Sequence, residues 1–284
     1  MVDDADFPSP ASGAAPIRVA AVGLRVRDLD AMVAFYRDTI GLEVMARDGA
    51  GASLGVGGVV LLTLEHHPTA RIDDTRTAGL FHTAFLIPTR ADLARFLRNL
   101  ANRGAALTGV ADHHVSEAVY LDDPEGNGVE VYADRPASQW QRDGDGIRIT
   151  TEPLDLNGLL ASIDGDMSYR GAPEGMRIGH VHLRVGDLDA AQRFYGDLLG
   201  LDVTARMRGA LFLSSGGYHH HVAVNTWHSA GAAFRDPDRG GLSWLELAVD
   251  GGCHAAIVRR LAAARIDPDH PGDPWGTPVH LTPV

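Results

Sequence analysis

"VRDLDAMVAFYRDTIGLEV", residues 26–44, recurs as "VGDLDAAQRFYGDLLGLDV" at residues 185–203, with eleven of nineteen positions identical and no gap. A match at so long a period marks a duplicated chain. In each copy an apolar strand runs into an aspartate, Asp28 or Asp187, placed to cap a helix. Leu, Phe and Tyr then recur at helical spacing until Gly41 or Gly200 ends the helix, and short strands follow. Working outward, two weaker copies appear. In LFHTAFLIP (80–88) the alternation predicts a strand. Thr89 with Asp92 then forms a capping box, and Leu93, Phe96, Leu97 and Leu100 make an apolar helix stripe stopped by Gly104. LSWLELAV (242–249) predicts another strand, Ile257, Val258 and Leu261 a helix, and VHLTPV closes the chain. The unit is strand, helix and about three strands, four times over: an α+β chain of four βαβββ modules. The expected organisation is a disordered acidic lead over 1–16, a first two-module domain over 17–133, a connection over 134–176, and a second two-module domain over 177–284.

Composition narrows the function classes. The 284 residues hold 25 Lys+Arg against 37 Asp+Glu, a formal charge of −12, which repels nucleic-acid phosphates and anionic lipid surfaces. No basic patch offsets it, so neither nucleic acid nor membrane is an expected partner. The absence of an 18-residue apolar run and of a basic, apolar leader predicts a cytoplasmic protein. The single cysteine, Cys253, excludes an internal disulfide framework and reads as a structural thiol. DPEGNG (123–128) reads as a hairpin turn. The Gly-rich stretch 49–58 lacks the lysine and strand-to-helix context of a phosphate loop.

Strand parity selects the chemistry. In GHVHLRV, Val181, Leu183 and Val185 take the helix side, leaving His180, His182 and Arg184 on the other face. In unit two, Phe81, Phe85 and Ile87 oppose His82, Ala84 and Leu86, so His82 points inward. Val129 and Val131 likewise leave Glu130 inward. In GGYHHHVAVNTW (216–227), a continuous strand puts His219 and His221 on one face and His220 on the other, although adjacent histidines also fit a strand end half in solvent.

The repeated "VxDLxxxxxFYxxxLGLxV" pattern resembles that of the vicinal oxygen chelate superfamily, which includes glyoxalase I, bleomycin-resistance proteins and type I extradiol dioxygenases. Within it, GLFHTAFLIPTRADLARFL, SEAVYLDDPEGNGVEVYADRP, GHVHLRVGDL and GGYHHHVAVNTW are similar to the bacterial two-domain catechol 2,3-dioxygenases. The resemblance implies paired modules curling into a cup that holds a divalent metal on its inner face. Pairing units one with two and three with four leaves each cup short of ligands. Unit one has Ala21 where unit three has His180, and unit four has Trp244 where unit two has His82. Pairing unit two with unit three collects His82, Glu130 and His180, a two-histidine, one-carboxylate set suited to Fe(II), with Mn(II) or another divalent ion as the alternative. The two units would meet within one chain through the long connection, or across a homo-oligomer.

By the same resemblance, His221 falls at the acid/base histidine, Tyr120 at the tyrosine holding the substrate oxyanion, and His113, with His114 as rival, at a second pocket histidine. His182, His219, Asn225, Glu246 and Trp244 are weaker pocket candidates. For His182 and Glu246 the simpler role is an inter-strand polar contact. His280 has no assigned role. The implied function is an extradiol dioxygenase that uses O2 on a catechol-type aromatic. The alternatives are a metal-dependent glyoxalase-like lyase or isomerase, which would use more carboxylates, and a bleomycin-resistance-like sequestering protein.

Overall fold

The computed structural model describes residues 12–144 and 146–284. Most of the acidic lead, residues 1–11, lies outside them, while Ser12–Ala14 form a 3-10 turn. Unit one is β1 (Ile17–Val26), α1 (Leu29–Phe35), β2 (Glu43–Arg47), β3 (Gly51–Val56) and β4 (Val59–His66). Unit two is β5 (Gly79–Leu86), α2 (Arg90–Arg103), β6 (Gly109–Asp112), β7 (Ser116–Asp122) and β8 (Gly128–Asp134). The connection carries β9 (Arg142–Asp143), β10 (Gly146–Ile147) and α3 (Leu156–Leu160). Unit three is β11 (Arg177–Arg184), α4 (Leu188–Ala191), β12 (Asp202–Met207), β13 (Ala210–Ser214) and β14 (Val222–Asn225). Unit four keeps β15 (Gly241–Val249), α5 (Gly251–Ala263) and β16 (Val279–Pro283), with an isolated bridge between Gly272 and Pro278 before the last strand.

The capping signals act as expected. Asp28 accepts from Ala31 N, Thr89 from Asp92 N and Asp187 from Ala190 N. Each cap satisfies a backbone donor at a helix start and stabilises it by about 1 kcal/mol. Gly104 closes α2 at φ 64° and Gly41 ends the first repeat helix at φ 91°, conformations that favour glycine. In both full repeats the helix finishes in a π turn, Tyr36–Ile40 and Gln192–Leu198, which carries a buried tyrosine. Those tyrosines fasten each unit to the one that follows it. Tyr36 Oη donates to Asp123 Oδ2 at 3.0 Å, and Tyr195 Oη to Asp273 Oδ2 at 3.0 Å. Asp123 also accepts from the backbone N–H of Glu125 and Asn127, which makes DPEGNG a turn organised by its first side chain.

Sheet pairing crosses the duplication. A six-stranded sheet, β16-β15-β1-β4-β3-β2, joins units four and one, and an eight-stranded sheet, β12-β13-β14-β11-β5-β8-β7-β6, joins units three and two. The halves 17–133 and 177–284 thus each supply strands to both sheets. One apolar core runs through both. It takes Val22 and Leu24 from β1, Leu245 and Leu247 from β15, and Val181 and Leu183 from β11, together with Leu93, Phe96 and Leu100 from α2. No helix among the described residues is long and apolar enough to cross a membrane.

Candidate metal centre and pocket

The centre of the eight-stranded sheet positions the ligands. β5 runs antiparallel to β11 and parallel to β8, which places Ala84 between His180 on one side and Glu130 on the other. His82 lies two residues before Ala84, on the same face by strand alternation. Ala84 is fully buried, and its methyl group leaves room over the middle strand for three longer side chains to meet. Gly128 is the partner of His82, and a Cβ there would sit 3.0 Å from that of His82.

The three side chains do meet. His180 Nε2 lies 3.2 Å from Glu130 Oε2, and His82 Nε2 lies 3.0 Å from the same oxygen. His82 Nε2 is at an angle outside hydrogen-bond geometry and finds no hydrogen-bond partner among the described residues. The ligand-capable atoms of all three residues fall within 4.8 Å of one another, and all three are buried. A buried ring nitrogen aimed beside a shared carboxylate without a hydrogen bond is what a three-donor cation site requires, so the residues fit a divalent metal. Burial lowers His180 to about 4 although Glu130 pulls it up, so this imidazole is neutral and free to coordinate. Burial pushes the Glu130 carboxyl up, but His180 and His82 together hold it well below the usual range.

A cavity of about 250 Å³ opens from this cluster, lined by His82, Glu130 and His180 together with His113, Tyr120, His182 and His220. Tyr120 stands opposite Glu130 in the β7/β8 ladder. Burial, with the charge of Glu130, pushes its hydroxyl well above the usual range, so it keeps its proton. That hydroxyl lies 2.6 Å from His113 Nε2, and His113 Nδ1 lies 2.5 Å from the carbonyl of Thr150 in the connection. A carbonyl only accepts, so the proton of His113 sits on Nδ1 and Tyr120 donates to its Nε2. His114, by contrast, takes φ 65° and is not part of the lining. His182 packs edge-on to His82 at 5.0 Å and shares a 2.9 Å contact with Asn225 Nδ2. Burial, then His82, holds His182 well below the ordinary histidine value. Asn225 itself stays behind His182, outside the lining.

Parity misplaces the histidine triplet. The paired part of β14 begins at Val222, and residues 219–221 form a bend after the Gly216–Gly217 turn. Alternation does not apply there. His220, expected on the far side, faces the cavity and stacks on His180 with ring centroids 4.1 Å apart. His221 is turned away, its Nδ1 near Ser214 Oγ at 3.0 Å and Ser215 N at 3.3 Å. His219 is fully buried behind His220. Phe81, expected beneath the helices, also lines the cavity. The β5/β11 register slips between His182 and Leu183, so Phe81 sits in a bulge and points the same way as His82. Met207, Phe212, Trp227 and, from the connection, Ile149 complete the apolar wall.

Trp244 and Glu246 do not join the site. They lie on β15, which pairs with β1 in the other sheet. Trp244 Nε1 donates to Glu65 at 2.8 Å and its ring stacks on His280, while Glu246 accepts from Thr282. Cys253 is half-buried on α5.

A family model described as the Glyoxalase/Bleomycin resistance protein/Dioxygenase superfamily matches residues 18–131 and 177–250. The chain is 43% identical over 226 residues to the catechol-2,3-dioxygenase of Bacillus subtilis (strain 168), covering 78% of this chain and 79% of that one. It is 31% identical over 130 residues to biphenyl-2,3-diol 1,2-dioxygenase 3 of Rhodococcus globerulus, covering 43% of this chain and 65% of that one. Among solved structures, glyoxalase I from Zea mays superposes with a TM-score of 0.55 at 17% identity, covering 95% and 93% of the two chains, a likeness of fold alone.

Proposed function

This chain belongs to the Glyoxalase/Bleomycin resistance protein/Dioxygenase superfamily, and from that premise we propose that it is a metal-dependent extradiol dioxygenase opening a catechol-type ring beside its diol with O2. The observation that carries this reading is the meeting of His82, Glu130 and His180 on the same cavity as the Tyr120–His113 pair and His220. A lyase or isomerase cup would hold more carboxylate, and Glu130 is the one carboxylate in this lining. Fe(II) suits two imidazoles and a carboxylate, with Mn(II) the alternative; His82, Glu130 and His180 would hold the ion, which would supply Lewis-acid and redox chemistry toward the diol and O2.

The remaining side chains divide the work. Tyr120 keeps its proton and sits across from Glu130; when the diol binds, its hydroxyl turns that one proton from His113 Nε2 to a diol oxygen and stabilises charge developing on it. His113, its tautomer set by the Thr150 carbonyl, holds Tyr120 in place before the diol binds. His220 takes the proton-carrying part that the sequence suggested for His221. Burial keeps it well below the ordinary histidine value, so it enters as a neutral acceptor. Phe81, Phe212, Trp227 and Met207 pack against the ring and keep water out.

The test is anaerobic loading with Fe(II), then catechol and air, following O2 uptake and the absorbance of a ring-opened product. O2 uptake matched one to one by ring opening supports the reading. A protein loaded with one iron per chain that consumes no O2 with catechol or its alkyl derivatives contradicts it.

A further inference from the structure

Behind His220 a chain of hydrogen bonds leads away from the cavity. His220 Nδ1 lies 2.8 Å from His219 Nδ1, and His219 Nε2 lies 2.9 Å from Asp134 Oδ1 at the end of β8. His219 is fully buried, with the ring of Tyr218 at 4.0 Å and that of Trp140 at 5.2 Å, so its orientation is fixed by packing. Tyr218 Oη donates to the same carboxylate oxygen at 3.1 Å and shares a 2.7 Å contact with Tyr132 Oη, which anchors Asp134 in turn. None of these groups except His220 lines the cavity.

The polarity of this chain follows from its end. A carboxylate accepts and does not donate, so the proton in the first link belongs to His219 Nε2. For two neutral imidazoles, His219 Nδ1 is bare and accepts. The proton between the two rings therefore sits on His220 Nδ1. His220 Nε2, the other nitrogen of the cavity-lining ring, keeps its unshared pair and has no hydrogen-bond partner among the described residues.

We propose that Asp134 and His219 are positioning residues that lock His220 in its Nδ1–H tautomer and so turn a bare Nε2 toward bound substrate, an assignment that rests on the catechol reading above. Imidazole left to itself in water favours the Nε2–H form, which would offer a donor where the reaction needs an acceptor. The lock reverses that preference with two hydrogen bonds, the outer one to a charged group and therefore the stronger. It also separates two jobs in three adjacent histidines: His220 meets the substrate, and His219 sets which of its nitrogens is free.

The decisive measurement uses the metal-free full-length protein labelled with nitrogen-15 at histidine. Two-bond proton–nitrogen correlation reads which nitrogen of each ring carries the proton, with His220→Gln identifying the His220 signals. The expected result is a protonated Nδ1 and an unprotonated Nε2 on His220, with Asp134→Ala and His219→Phe both returning it to a mixture dominated by Nε2–H. In the iron-loaded enzyme Asp134→Ala should lower kcat by about 10-fold to 100-fold, with KM for catechol and iron content within about twofold, and Asp134→Glu should recover part of the loss.

An Nε2–H tautomer on His220 in the unsubstituted protein overturns the proposal, as does an unchanged tautomer in Asp134→Ala. The first of these stands even if His219→Phe does not fold. Asp134 is 21% exposed, so its truncation disturbs packing least. A locked tautomer in a protein that opens no catechol supports the lock and counts against the catechol reading. Ring opening by a protein whose His220 is unlocked does the reverse.

Discussion

Tyr120 and His113 meet through one hydrogen bond of 2.6 Å, and its direction is set from outside the pair by the Thr150 carbonyl. The connection between the two halves of the chain thus orients a hydroxyl in the cavity. Tyr120→Phe removes that hydroxyl and keeps the ring. Under the proposed function, kcat falls roughly 100-fold, the scale for losing one donor to a developing oxyanion, while iron content stays at the unsubstituted level. Steady-state kinetics and elemental analysis on the same sample separate the two.

The three converging donors make a separate prediction. His82→Ala, Glu130→Ala and His180→Ala each leave two ligands, and each should lower iron affinity by well over ~10-fold, more than the loss of an outer partner costs. Metal analysis after dialysis against weak chelator checks this, with circular dichroism to verify the fold. A variant that keeps one iron per chain argues against these ligands.

Ala84 offers a test that leaves every ligand in place. It lies between His180 and Glu130 across the three central strands and is fully buried. Ala84→Leu should fill the space the cation needs and cost about 1–3 kcal/mol through overpacking. The expected result is a protein that melts at a lower temperature and binds no iron. Unchanged iron binding would place the cation elsewhere.

Asp123 gives a pH dependence with a definite sign. Burial pushes its carboxyl from 3.8 up to about 6, outweighing the hydrogen bonds from Asn127, Glu125 and Tyr36. The folded state therefore binds the proton more tightly than the unfolded one. The resulting stability is complete below about 4 and is lost as pH rises through about 6, by at most ~3 kcal/mol. Asp123→Asn cannot ionise. Relative to the unsubstituted protein it should gain stability between pH 4 and 6 and hold a constant difference above, as read by urea unfolding. A difference independent of pH would show that Asp123 is ionised throughout.

The wall of the cavity predicts a substrate preference. Phe81, Phe212, Trp227, Met207 and Ile149 face the space beyond the metal cluster, and no arginine or lysine lines it. A carboxylate on the ring would be desolvated there without a cation. Alkyl catechols should show kcat/KM at least ~10-fold above carboxyl-substituted ones. Competition assays with a matched pair decide it.

The shared face of His82, Glu130 and His180 is readable from the chain because each lies in a regular paired strand, where alternation fixes the face, whereas a metal on that face is what the family resemblance implies. The same reasoning fails at His220, since residues 219–221 precede the paired part of β14 and have no strand face. It fails at Phe81 because a register slip across β5 and β11 turns two consecutive side chains the same way. A slip of that kind belongs to the pair of strands and is not written in either one alone. Trp244 and Glu246, weaker candidates from the sequence, lie on β15, whose sheet partner, β1, takes them away from the site. The polarity of the His113 and His220 hydrogen bonds depends on Thr150 and Asp134, which no local pattern singles out.

The crossed pairing also shapes how the molecule comes into being. In the finished sheets β1 is flanked by β4 and β15, and β5 by β8 and β11, with Ile17 aligned to Val249. During synthesis the first 133 residues leave the ribosome with neither β15 nor β11 yet made. β1 and β5 then each present a bare edge, the surface most prone to join a neighbour's chain. Contacts so distant along the polypeptide also make for slow closure, and the first sheet cannot seal until residue 249 has emerged.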